Sequence, residues 1–102
     1  MYTDMELLDW AASVAGIEFT GRTAEGVPLI GKIGARVPWN PLADDGDEAR
    51  LEAKLEKDVF WGVDRVYVGD AYQHYSTHGG DKQKARRYAG VIDAAEIGKA
   101  MK

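Results

Sequence analysis

A chain of 102 residues, 45% hydrophobic and 29% charged, has the balance of one globular domain, and that balance excludes disorder of the whole chain. A formal net charge of −4 gives no general attraction to nucleic acid or to anionic membrane. With no cysteine, disulfides and thiolate metal sites are ruled out.

The charge is unevenly spread: the segment from Asp44 to Asp58 is acidic, whereas Lys82, Lys84, Arg86 and Arg87 form a basic cluster. The first residues, Met1-Tyr2-Thr3-Asp4-Met5-Glu6, are acidic where an export signal is basic, and no long apolar run follows. The expected setting is therefore cytoplasmic, with no membrane association.

In chain order, Thr3 and Glu6 form a capping box that opens a helix. Leu7, Leu8, Ala11, Ala12 and Ala15 recur behind it at helical spacing, and Gly16 suits a left-handed stop, so a helix is predicted over Asp4 to Ala15. Two β-rich runs follow, Ile17 to Thr20 and Val27 to Ile33, joined by turn-forming residues from Gly21 to Gly26. Pro28 near the start of its run fits the edge or the first residue of a strand, not its centre.

Pro38-Trp39-Asn40-Pro41 cannot be helix interior. Asp44, Asp45 and Asp47 then offer capping oxygens and negative charge to a helix start. From Glu48 to Lys57 the composition favours a helix, although Ala49, Leu51, Ala53 and Leu55 alternate as a strand would. Val59-Phe60-Trp61 and Val66-Tyr67-Val68 read as a second pair of strands, joined through Gly62 to Arg65. The stretch from Gly69 to Gly80 has no clear period and reads as loop, with Tyr72 to Tyr75 a candidate extended piece. Asp81 caps a last helix running to about Met101, with an apolar stripe of Tyr88, Ala89, Ile92 and Ala95. A second stripe, Gly90, Ala94 and Gly98, costs helix propensity and so points to close packing by the sheet or another helix.

The expected fold is α+β in a single domain of residues 1–102, ordered α-β-β-α-β-β-α, with a mainly antiparallel four-stranded sheet covered by helices on both faces.

The run Trp39-Asn40-Pro41-Leu42-Ala43-Asp44-Asp45-Gly46-Asp47, followed by Arg50, Leu51, Lys54 and Leu55, resembles the signature of the phage ABA-sandwich domain family. Arg86-Arg87 and the ending Ala94-Ala95-Glu96-Ile97-Gly98-Lys99-Ala100 are similar to the closing helix of that family. The resemblance implies a three-layer α-β-α sandwich in a small phage or prophage protein working in the bacterial host cytoplasm. It implies no activity, cofactor or catalytic residue. One departure is that Glu48 and Glu52 stand where small or apolar residues are expected, which predicts a solvated face on the second helix.

Motifs for chemistry are sparse. With Gly46 as the sixth position of a calcium loop, Glu52 falls at the twelfth, but Pro41 and Ala43 then occupy the first and third and offer no side-chain oxygen. His74 and His78 have zinc-like spacing, with Asp81 as a third candidate, but Tyr75-Ser76-Thr77 and Gly79-Gly80 argue against the helix that spacing needs. Ser76 lacks a nucleophile-elbow pattern, and Ser13 lies in a helix without a nearby histidine. No enzyme activity, cofactor or metal site is expected from these residues.

Binding is the expected mode of action. Trp39 and Trp61 are expected to pack in the core, although Trp39 and Asn40, in a proline-flanked loop, are also candidates for docking a partner. The aromatic and basic segment offers Tyr72, His74, Tyr75, Lys84, Arg86 and Arg87. Such residues suit a partner protein or, as the alternative, a nucleic acid or nucleotide stacked on the rings. The small-residue stripe or an exposed sheet edge would also support a homodimer.

Overall fold

Thr3 opens the first helix as its sequence dictates. In the computed structural model, which describes residues 2–101, its hydroxyl accepts from the Glu6 N–H at 3.2 Å, and the Glu6 carboxylate accepts from the Thr3 N–H at 3.1 Å. Helix α1 spans Asp4–Ala15 and ends at Gly16 in the left-handed region, φ 71°. Its apolar stripe of Leu7, Leu8, Ala11, Ala12 and Ala15 is buried as the spacing predicts.

The next strands are shorter and differently placed than their β-rich runs suggest. Strands β1 (Gly21–Arg22), β2 (Pro28–Ile30) and β3 (Val37–Pro38) form a small antiparallel sheet in that order. Ile17 and Phe19 instead pack against the helical core, and at the end of their run Thr20 N–H donates to the Leu29 carbonyl at 2.8 Å. Pro28 is the first residue of β2, where its missing N–H leaves the ladder intact, and its carbonyl accepts from Trp39 N–H at 2.9 Å.

Helix α2 spans Asp45–Leu55, with Asp44 capping the Asp47 N–H at 2.9 Å. After it, β4 (Val59–Trp61), β5 (Arg65–Val68) and β6 (Ala71–His74) form a second antiparallel sheet. The extended piece expected at Tyr72 to Tyr75 is present as β6, one residue earlier, and the rest of the segment read as loop holds a short 3-10 turn, Tyr75–His78. Along this strand Tyr72 and His74 point outward, while Ala71 and Gln73 lie on the face of Val66 and Val68. Helix α3, Lys82–Ala100, closes the order.

Two three-stranded sheets replace the expected single four-stranded one. The helices also do not enclose a sheet: α3 packs on β5 and β6, while α1 and α2 pack against α3. The layers therefore run sheet, α3, then α1 with α2. The reason lies in α3, whose stripe of small residues draws the other helices close. A Cβ at Gly98 would run into the Trp10 backbone carbonyl, and one at Gly90 into the Glu48 carboxylate. The stripe is thus covered by α1 and α2 and is not an outer surface.

Two apolar clusters flank α3. One gathers Leu7, Leu8, Trp39, Leu42, Leu51 and Val91; the other gathers Val66, Val68, Tyr75, Ala85 and Ala89. No described helix is long and apolar enough to cross a membrane.

Candidate binding surface

The proline-flanked loop is built into the fold. Trp39 is buried against Phe19, ring centroids 5.7 Å apart, so it packs and presents nothing to a partner. Asn40 turns the chain: its side-chain oxygen accepts from Leu42 N–H at 3.2 Å, while its own N–H donates to Asp47 at 2.9 Å. Arg87 reaches across from α3 to the Leu42 carbonyl at 2.9 Å and to Asp45 at 2.7 Å. Arg86 grips Glu52 through Nε and a terminal nitrogen, at 3.1 and 2.9 Å. Both arginines are therefore held by α2, and neither projects as a free basic group.

Glu48 and Glu52 correct the expectation of a solvated helix face. Both are buried, Glu48 to 1% exposure with its carboxylate in the space that Gly90 leaves open. Burial, then contact with the Glu52 carboxyl, raises the Glu48 pKa to about 9, against a weaker opposing pull from Arg86. Glu48 is thus protonated at neutral pH. As a carboxylate its Oε2 has no hydrogen-bond partner, whereas a proton lets the carboxyl donate to Glu52. The pair, closed to solvent, fastens α2 to α3.

The aromatic segment divides between the two faces of the second sheet. Tyr75 is buried on the α3 side, and its hydroxyl donates to the Gly62 carbonyl at 2.8 Å. His78 stacks near Tyr88 at 4.8 Å, its Nε2 2.9 Å from Gln73 Oε1. Burial first, then Lys84, lowers the His78 pKa and so favours the neutral ring. Lys84 is exposed, 6.0 Å from the Tyr88 ring. Tyr72 and His74 lie on the opposite face, rings 5.7 Å apart, and His74 is 3.7 Å from Asp64. Among the described residues no three potential ligands converge on a metal position.

Pairing across the sheet assembles what the chain order conceals. Phe60 lies opposite Tyr67, and Tyr67 opposite Tyr72. Their ring centroids are 6.0 and 5.7 Å apart, one aromatic row across all three strands. Arg65 sits over Tyr72 at 5.1 Å and is held by Asp64 at 3.1 Å. Phe60 is 66% and Tyr72 47% exposed. Trp61, expected in the core, is 43% exposed because β4 is an edge strand that α3 does not cover. Exposed Asp58, Asp64 and Asp70 stand at the strand ends.

No protein-family model, curated protein or solved structure matches this chain. Function must be argued from this surface. Of this row, Tyr67 and Tyr72 fall within the aromatic and basic stretch from Tyr67 to Arg87 that the sequence singles out, whereas Phe60 and Arg65 lie outside it. The signal for the outer face is the alternation Arg65-Val66-Tyr67-Val68, in which the valines go inward and the aromatic goes out.

Proposed function

We propose that this protein is a non-enzymatic accessory protein, of phage or prophage kind, that binds another protein through the outer face of the β4-β5-β6 sheet. The observation that carries this reading is the uncovered row of Phe60, Tyr67 and Tyr72. Exposed aromatics grouped on a rigid strand scaffold are the usual anchors of protein interfaces. The acidic strand ends favour a partner whose own apolar patch is flanked by lysine or arginine.

Single-stranded nucleic acid stacked on the same rings is the competing reading, and charge weighs against it. Arg65, Arg86 and Arg87 are each engaged by a carboxylate, and the rim is acidic.

The test compares capture from a bacterial host lysate by the wild type and by Phe60→Ser/Tyr72→Ser. Both positions are exposed, so the variant should keep its circular dichroism and melting temperature. A partner retained by the wild type and lost by the variant is the expected result. Equal capture by both proteins would overturn the proposal. Salt-sensitive binding of labelled single-stranded oligonucleotides, lost in the variant, would put the nucleic-acid reading in its place.

A further inference from the structure

Beside the sheet, a groove of about 670 Å³ runs between β6 and the C-terminal half of α3. Its apolar wall is made by Ala71, Tyr72, Ile92, Ile97, Ala100 and Met101. The three polar lining residues are Asp70, Asp93 and Glu96, so the described lining holds carboxylates and no base. Asp93 is buried and already engaged: it accepts from Asp70 N–H at 3.1 Å and faces Lys57 at 3.3 Å. Gly69, at φ 58°, makes room for that carboxylate. The charges facing an occupant are therefore those of Asp70 and Glu96, both exposed.

Among the described residues the strand bordering this groove, β6, has an unpaired edge. Gly62 N–H donates to the Arg65 carbonyl at 2.8 Å, so Arg65 directs its backbone groups towards β4. Alternation gives Tyr67 the same direction. Tyr72, opposite Tyr67, then turns its N–H and C=O away from β5 and outward. Among the described residues its carbonyl is met only by the Gln73 side chain, at 3.1 Å. From Ile92 to Met101 the helical wall is about 14 Å long, which matches four residues of extended chain at about 3.4 Å each. Strand β6 itself is four residues long.

We infer that an extended segment of a partner protein, carrying alternate apolar residues and a lysine or arginine, adds to the edge of β6 and fills this groove. Its backbone pairs with Tyr72, its apolar side chains lie on Ile92 and Ile97, and its cation meets Asp70 and Glu96. Charge complementarity selects this occupant over a second copy of the chain, whose net charge of −4 would bring like charge to an acidic rim. The inference rests on the protein-binding reading above and specifies the chemistry of the partner.

The probe is a displayed library of random 12-residue peptides selected on the immobilised protein, with enriched peptides labelled and titrated by fluorescence anisotropy. Enriched sequences should combine a basic residue with alternate apolar ones. Ala100→Lys and Met101→Lys should each weaken binding at least tenfold; Met101 is 63% exposed, so the fold should tolerate the change. Asp70→Asn/Glu96→Gln should weaken binding several-fold and flatten its salt dependence. Hydrogen exchange at the Tyr72 amide should slow when peptide is bound. The inference is overturned if no sequence is enriched over an unrelated immobilised domain, or if the enriched peptides lack basic residues. Indifference to both lysine variants, or an unchanged Tyr72 amide, overturns it equally. A lysate partner lost with Phe60→Ser but unaffected by Ala100→Lys would leave the protein-binding reading standing and remove the groove from it.

Discussion

Glu48 is the residue whose chemistry departs furthest from its sequence appearance. Its pKa of about 9 in the folded chain stands against an ordinary value of 4.5, with burial as the leading cause. Between those two pH values the native state holds a proton that the unfolded chain releases. Stability should therefore fall as pH rises through this window, by at most about 1.4 kcal/mol per pH unit from this group. Below pH 4.5 both states are protonated and the contribution is flat. Glu48→Gln keeps the shape of the protonated side chain and removes the titration. Urea denaturation at a series of pH values from 5 to 9 should show a declining wild-type curve and a much flatter Gln variant. Parallel curves would mean that Glu48 is ionised in the folded protein.

At the scale of elements, the joint between the proline-flanked loop and α3 depends on Arg87. Two contacts compete for its importance: the hydrogen bond to the Leu42 carbonyl and the ion pair with Asp45. Asp45 is largely exposed, so its pair is worth less than about 1 kcal/mol. Losing the donor to a partly buried carbonyl costs more, about 1–3 kcal/mol. Arg87→Ala should therefore destabilise by about 1–3 kcal/mol in chemical denaturation, and Asp45→Asn by clearly less. Equal losses would make the ion pair the dominant contact. The helices on either side of this joint were legible in the sequence because each carries its own start signal: Thr3 with Glu6, Asp44, and Asp81. The strands were less so, because two- to four-residue ladders are fixed by partners distant in the chain. The buried glutamates were not legible at all. A carboxylate on a helix face reads as solvated unless the glycine that makes room for it, forty-two positions along, is known to lie opposite. Of the candidate site, Tyr72 and His74 were found on the open face, whereas Tyr75, Arg86 and Arg87 face the interior or α2.

For the molecule as a whole, α3 is the shared wall of two apolar clusters that do not merge. The radius of gyration, 13.4 Å, matches the roughly 13 Å of a single compact domain of this length. Because α3 contributes Val91, Ala94 and Ala95 to one cluster and Ala85 and Ala89 to the other, neither can dissolve without uncovering a face of the same helix. Helix formation is itself cooperative, so damage at one cluster should be felt at the other. Val66→Ala removes two methyl groups from the fully buried centre of the sheet-side cluster and should cost about 2 kcal/mol. For a domain of this size that lowers the melting temperature by about 8–16 °C. The decisive readout lies in the other cluster. With Trp61 replaced by Phe, tryptophan emission reports on Trp10 and Trp39, both of which belong to the α1–α2 side. In that background, Val66→Ala should shift the emission midpoint by as much as the far-ultraviolet circular dichroism midpoint. An emission midpoint that stays in place while the circular dichroism moves would mean that the sheet and its face of α3 melt on their own. The proposed binding surface would then belong to a unit that opens separately from the helical core.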